Sequence, residues 1–147
     1  MSKRMLSAAV PVALLMIGFA AGRLTGTGTV AHAQTGNRVF ELRTYTTNEG
    51  KLPALQTRFR DHTTRLFTEH GMTNIGYWTP QDPKLSQNTL IYIIAHPSRE
   101  AATKSWAAFR ADPDWQKVAA ASEVDGKILS KSPESVFMDP TDYSPIK

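Results

Sequence analysis

Apolar and polar positions alternate from Arg38 to Thr46, with Val39, Glu41, Arg43 and Tyr45 on one side and Phe40, Leu42 and Thr44 on the other. A period of two in a run rich in β-branched and aromatic residues predicts a strand. Asn48-Glu49-Gly50 reads as a turn, and Pro53 suits the first turn of a helix. There the period changes. Leu52, Leu55, Phe59, His62 and Leu66 recur at spacings of 3, 4, 3 and 4, one face of a helix, which His70-Gly71 ends. Met72 to Thr79 predicts a second strand, closed by Pro80 and the loop Gln81 to Gln87. Thr89 to Ala95 is nearly continuously apolar, as expected of a covered central strand. Ser98 can cap a second helix whose inner face carries Ala102, Trp106 and Phe109. Asp112-Pro113 opens a shorter helix with Trp115 and Val118, ending near Gly126, and Ser135 to Met138 predicts the last strand.

The order strand, helix, strand, strand, helix broken in two, strand is the split βαβ arrangement called ferredoxin-like. It predicts an α+β fold, βαββαβ, with a four-stranded antiparallel sheet and helices on one face. The other face would be bare and partly apolar, so a second copy is expected to cover it, making a homodimer.

The first 33 residues carry a different pattern. Lys3 and Arg4 precede a run from Met5 to Ala21 that is apolar apart from Ser7, Pro11 and Gly18, and Ala31-His32-Ala33 follows. That succession predicts a secretory signal peptide over residues 1–33, with residues 34–147 as the mature domain in the periplasm or outside the cell. Lys3-Arg4 in place of an arginine pair favours the general secretion route over the twin-arginine one. The apolar run is long for a signal, and residues 22–33 are long for a cleavage region. An uncleaved membrane anchor is therefore the alternative, and the segment's one expected contact with a membrane.

Removing residues 1–33 leaves 114 of the 147, enough for one ordinary domain. It also removes the basic excess. Lys3, Arg4 and Arg23 account for three of the 17 basic residues, leaving fourteen against 13 acidic ones, a net charge of +1. The remaining Lys and Arg are interspersed with Asp and Glu, which argues against nucleic acid as a partner. With no Cys there is no disulfide, thiolate metal site or Cys nucleophile. No phosphate loop appears, and the scattered His residues have no metal-ligand spacing, so neither a cofactor nor a metal is expected.

Several strings have a family look: Phe40-Glu41-Leu42-Arg43-Thr44-Tyr45, His70-Gly71-Met72 before Gly76-Tyr77-Trp78, and Ser98-Arg99-Glu100-Ala101. So do the run from Trp106 to Trp115 (Trp-x-x-Phe-x-x-Asp-Pro-x-Trp) and the closing Pro140-Thr141-Asp142-Tyr143-Ser144-Pro145. Over residues 38–145 the chain resembles the NIPSNAP family. That resemblance implies a dimeric α/β barrel of two ferredoxin-like units with their sheets face to face. It implies no catalytic motif; related barrels include cofactor-free oxygenases, haem-degrading enzymes and small-molecule isomerases, and fold does not fix function.

His62 is the candidate catalytic residue, because the helical period assigns it to the buried stripe between Phe59 and Leu66, where an imidazole would titrate near neutrality. A structural His bonded to a carbonyl or carboxylate is the plainer alternative. His70 suits the helix C-terminus and His96 a loop. Tyr45, Tyr77, Trp78, Tyr92, Trp106 and Phe109 are candidates to line a pocket for a flat ligand. The competing assignment makes Trp106, Phe109 and Trp115 core and helix-docking residues. Glu41 and Arg43 share one face of a covered strand; an ion pair, within the chain or across the dimer, is expected, with anion binding by Arg43 second. Two functions follow. One is a dimer that binds a small hydrophobic or aromatic ligand, or a protein through an exposed apolar patch near Trp115. The other is a cofactor-independent oxygenase or isomerase with a pocket His as base.

Overall fold

Strand β1 (Val39–Thr46) pairs antiparallel with β3 (Thr89–His96) on one side and β4 (Glu134–Met138) on the other. Adding β2 (Thr73–Trp78) at the far edge gives a four-stranded sheet of order β2-β3-β1-β4. These elements come from a computed structural model that describes residues 38–147. The expected signal or anchor over residues 1–33 lies outside the described residues. Every strand foretold by alternation is present within a residue or two of its expected bounds, in the ferredoxin-like order.

The helices pack on the face that carries Glu41, Arg43 and Tyr45, opposite Tyr92 and Ile94 of β3. Helix α1 (Leu52–Arg58) runs through a π-helical turn (Phe59–Thr63) into α2 (Thr64–Glu69). A Schellman motif ends α2. Gly71, at φ +77, donates its N–H to Thr68 O, and Met72 donates to Phe67 O. Helix α3 (Arg99–Ala111) starts at Ser98, whose side chain accepts from Ala101 N at 3.0 Å. Asp112 both ends α3 and caps α4 (Pro113–Ser122) by accepting from Asp114 N and Trp115 N. The core between the layers is built from Tyr45, Leu55, Phe59, Leu66, Phe67, Tyr92, Trp106 and Phe109 with smaller neighbours.

Two local irregularities reassign side chains, and the first corrects His62. In the π turn the N–H of Thr64 reaches Phe59 O, five residues back, so one extra residue enters the turn. The inward position after Phe59 therefore passes from His62 to Thr63, which is buried and donates its hydroxyl to Arg58 O at 3.1 Å. His62 stands on the exposed side of the helix. The second is a β-bulge at Ile75 in β2. It breaks the period of two, so Asn74 and Tyr77, three apart, both face the helices, and Tyr77 O–H donates to Asn74 Oδ1 at 2.5 Å.

The opposite face presents Leu42, Ile91, Ile93 and Val136, half-buried or exposed. Phe40 and Met138 on that face meet the C-terminal segment around Thr141 and Ile146. No helix among the described residues is long and apolar enough to cross a membrane.

Candidate functional site

Glu41 is the most highly bonded side chain of the inner layer. It is 1% exposed, and four donors converge on its carboxylate. Ser135 Oγ donates to Oε1 at 2.6 Å, Arg43 Nη1 to the same oxygen at 2.8 Å, and Trp106 Nε1 to Oε2 at 2.7 Å. His96 Nε2 lies 3.1 Å from Oε2. Burial works against the charge of Glu41, but the bonds from His96, Ser135, Trp106 and Arg43 outweigh it and hold its pKa at about 2. The carboxylate is therefore ionised throughout the ordinary pH range. His96, expected in a loop, is instead the fully buried last residue of β3. The Glu41–Arg43 ion pair forms within one strand, under the helices.

Arg43 reaches from that carboxylate across the face of Trp106, its guanidinium carbon 4.4 Å from the ring centroid and 5.6 Å from that of Tyr45. Tyr45 accepts a hydrogen bond from the Tyr92 hydroxyl at 3.1 Å. Tyr92 is fully buried, stacks on Tyr77 with centroids 5.3 Å apart, and touches Phe59 at 5.2 Å. Burial raises the phenol pKa of both Tyr77 and Tyr92 far above the ordinary value, so both remain neutral donors.

A cavity of about 330 Å³ opens in front of Arg43, between the sheet and helices α1, α3 and α4. Tyr45, Phe59, Trp106 and Trp115 supply its flat walls, and Arg43, Arg58, Arg110 and Glu123 its charges. Arg58 comes from the last turn of α1, three residues after Leu55 on the buried stripe. Its guanidinium sits 5.3 Å from the Trp115 ring, with Nη1 3.2 Å from Ser122 Oγ and 3.6 Å from Glu123 Oε1. Trp115 packs inward on Phe109, centroids 4.4 Å apart, so it forms no exposed patch.

Of the residues singled out in the sequence, Arg43, Tyr45, Trp106 and Phe109 meet at this cavity, with Tyr92 hydrogen-bonded to Tyr45 behind it. Tyr77 borders a different depression, beside Trp78. Trp78 is half exposed at the sheet edge, its ring lying over Gly76, where even a methyl group would come within 2.6 Å. His62 borders an outer groove of about 620 Å³ with Arg65 and Lys117, on the far side of α1 and α4. His70 bridges two helix ends, its Nε2 2.6 Å from Asp112 Oδ2, and that bond lowers the Asp112 pKa. Arg58 and Phe59 were not foreseen as site residues, and Trp115 was expected in the core or in an exposed patch rather than at a cavity. The signal for Arg58 was available: a basic residue on an apolar helical stripe. Among the described residues no group of three or more His, Asp or Glu side chains is placed to hold a metal ion.

A four-stranded antiparallel sheet in ferredoxin-like order, with its helices on one face, defines the α+β class of the fold. The chain belongs to the NIPSNAP family, whose model matches residues 40–145. A NIPSNAP family protein of unknown function from Agrobacterium tumefaciens superposes with a TM-score of 0.64 at 23% identity, covering 77% of this chain and 96% of the other. An uncharacterised NIPSNAP domain protein from Burkholderia xenovorans gives 0.60 at 25% identity over 73% and 98%. A monooxygenase from Streptomyces coelicolor, solved in complex with the ligand nanaomycin D, shares the fold with a TM-score of 0.52 at 17% identity over 71% and 88%. Comparison with curated proteins finds no match.

Proposed function

We propose that this chain is an exported, homodimeric NIPSNAP domain that binds a small, flat aromatic molecule between its sheet and its helices. The cavity carries the reading: about 330 Å³ walled by Tyr45, Phe59, Trp106 and Trp115. That volume is at the lower end of small-molecule pockets, roughly 300–1,000 Å³, and mostly aromatic walls with few polar groups suit a ligand of one or two rings. Dimerisation is supported by the apolar outer face with Leu42, Ile93 and Val136, and export by the pattern of residues 1–33.

The alternative, a cofactor-independent oxygenase or isomerase, draws support from the shared fold of the Streptomyces monooxygenase. It called on a pocket imidazole, and His62 faces the outer groove instead. Binding is therefore the function we put forward. Thermal denaturation of the wild type and of Ala119→Phe, with increasing 2-naphthol, tests it. Ala119 lies on α4 and lines the cavity, so the larger ring fills the space. The wild type should gain stability with ligand, by about 2.7 kcal/mol at a hundredfold excess over Kd, and the variant should not. Equal gains in both would move the ligand elsewhere on the molecule.

A further inference from the structure

Two of the three arginines that line the cavity, Arg43 and Arg58, are incompletely bonded. Arg43 spends Nη1 on Glu41, and Arg58 spends Nη1 on Ser122 and Glu123, yet the Nε of each is buried with no partner among the described residues. The Arg58 side chain is 5% exposed and that of Arg43 15%, so water has little access to either group. A buried donor without an acceptor is destabilising, the more so on a charged group, so two such donors beside one cavity call for an acceptor. Tyr45 adds a third donor. Its oxygen accepts from Tyr92, which leaves its own hydroxyl proton with no acceptor among the described residues.

Charge points the same way. Arg43, Arg58 and Arg110 line the cavity against Glu123 alone, and Glu41 adds one negative charge behind Arg43. Arg43 pairs with Glu41 and Arg58 with Glu123, so the positive charge left over belongs to Arg110, exposed at the rim. Burial also pushes the Arg58 guanidinium down from its usual value, the mark of a cation held in a poorly solvated place.

Resting on the binding function proposed above, we infer that the ligand is an aromatic monoanion, a small carboxylate of one or two fused rings, whose oxygens accept from the guanidinium groups of Arg43 and Arg58 and from the Tyr45 hydroxyl. Its ring lies among Phe59, Trp106 and Trp115. The carboxylate supplies the missing acceptors and balances the Arg110 charge at the rim, which a neutral ring does not. Guanidinium groups suit this work because their N–H donors are fixed in a plane that matches a carboxylate.

Titration calorimetry of the full chain with 2-naphthoate and its neutral counterpart 2-naphthamide provides the test. Naphthoate should bind about ten- to a hundredfold more tightly, the difference expected of hydrogen bonds to a charged group. Arg58→Gln should remove most of that preference while leaving naphthamide affinity in place. Arg58→Lys, which keeps the charge and loses the planar fork, should fall between them. Far-UV circular dichroism and the retained naphthamide affinity show that the variants fold. Equal affinity for acid and amide in the wild type would overturn the anion inference while leaving aromatic binding intact. Binding of neither probe would overturn both.

Discussion

Replacing Glu41 by Gln keeps the shape of the side chain and removes its charge. Gln retains an acceptor for Arg43 and Ser135 at one position, but its amide nitrogen cannot accept from Trp106, and the Arg43 cation is left buried without a counter-charge. Two routes give the cost. The carboxylate pKa is held at about 2 against an ordinary 4.5, and at 1.36 kcal/mol per pH unit that difference is worth about 3 kcal/mol. Breaking a buried ion pair by removing one partner costs about 3–5 kcal/mol. The folded-state value lies below the unfolded one, so this stability is fully present above about pH 4.5 and is lost as pH falls towards 2. More than half of it is gone by pH 3. Urea unfolding of wild type and Glu41→Gln, followed by tryptophan fluorescence, should differ by about 3 kcal/mol at pH 7 and by less than half of that at pH 3. A difference under 1 kcal/mol at pH 7, or one that does not shrink in acid, would refute the role given to this carboxylate.

Other substitutions separate the buried from the exposed members of the first helix and test the remaining devices. His62→Ala should change stability by no more than about 0.5 kcal/mol, whereas Leu66→Ala, at a fully buried position, should cost about 2–5 kcal/mol in the same urea titration. Ser98→Ala removes the cap of α3 and should lower stability by about 1 kcal/mol, with a matching loss of helical ellipticity on heating. Gly76→Ala should turn the Trp78 ring away from the strand and alter its emission, at a cost below about 1 kcal/mol because that ring is half exposed. Val136→Glu puts a charge on the bare sheet face; light scattering should find wild type at twice the chain mass and the variant at one, and two monomers would remove the dimer proposal.

Much of the fold was legible because it rests on periodicity. The alternation in Val39–Thr46, the apolar run of β3 and the caps at Ser98 and Asp112 each have a local cause, and each formed where it was expected. Placements that periodicity does not give trace to irregularities with no local signature. One extra residue in the turn Phe59–Thr63 was enough to move His62 out of the core and put Thr63 in its place. One bulged residue, Ile75, brought Asn74 and Tyr77 to the same side. The Glu41 network was half legible. Two charges on a covered strand demanded partners, but that His96, Trp106 and Ser135 would supply them depends on three chain segments meeting. The cavity was foreseen as aromatic through Tyr45 and Trp106. The place of Arg58 and the Trp115 wall come from the way α4 folds back over α1, which spacing alone does not reveal.

The proposed site can be checked through its tryptophans, since all three in the chain lie in the described domain and only Trp106 and Trp115 line the cavity. In a nitrogen–proton correlation spectrum of the labelled protein, 2-naphthoate should shift the indole N–H signals of Trp106 and Trp115 and leave that of Trp78, which borders a separate groove. A shift confined to Trp78, or none at saturating ligand, would contradict the account.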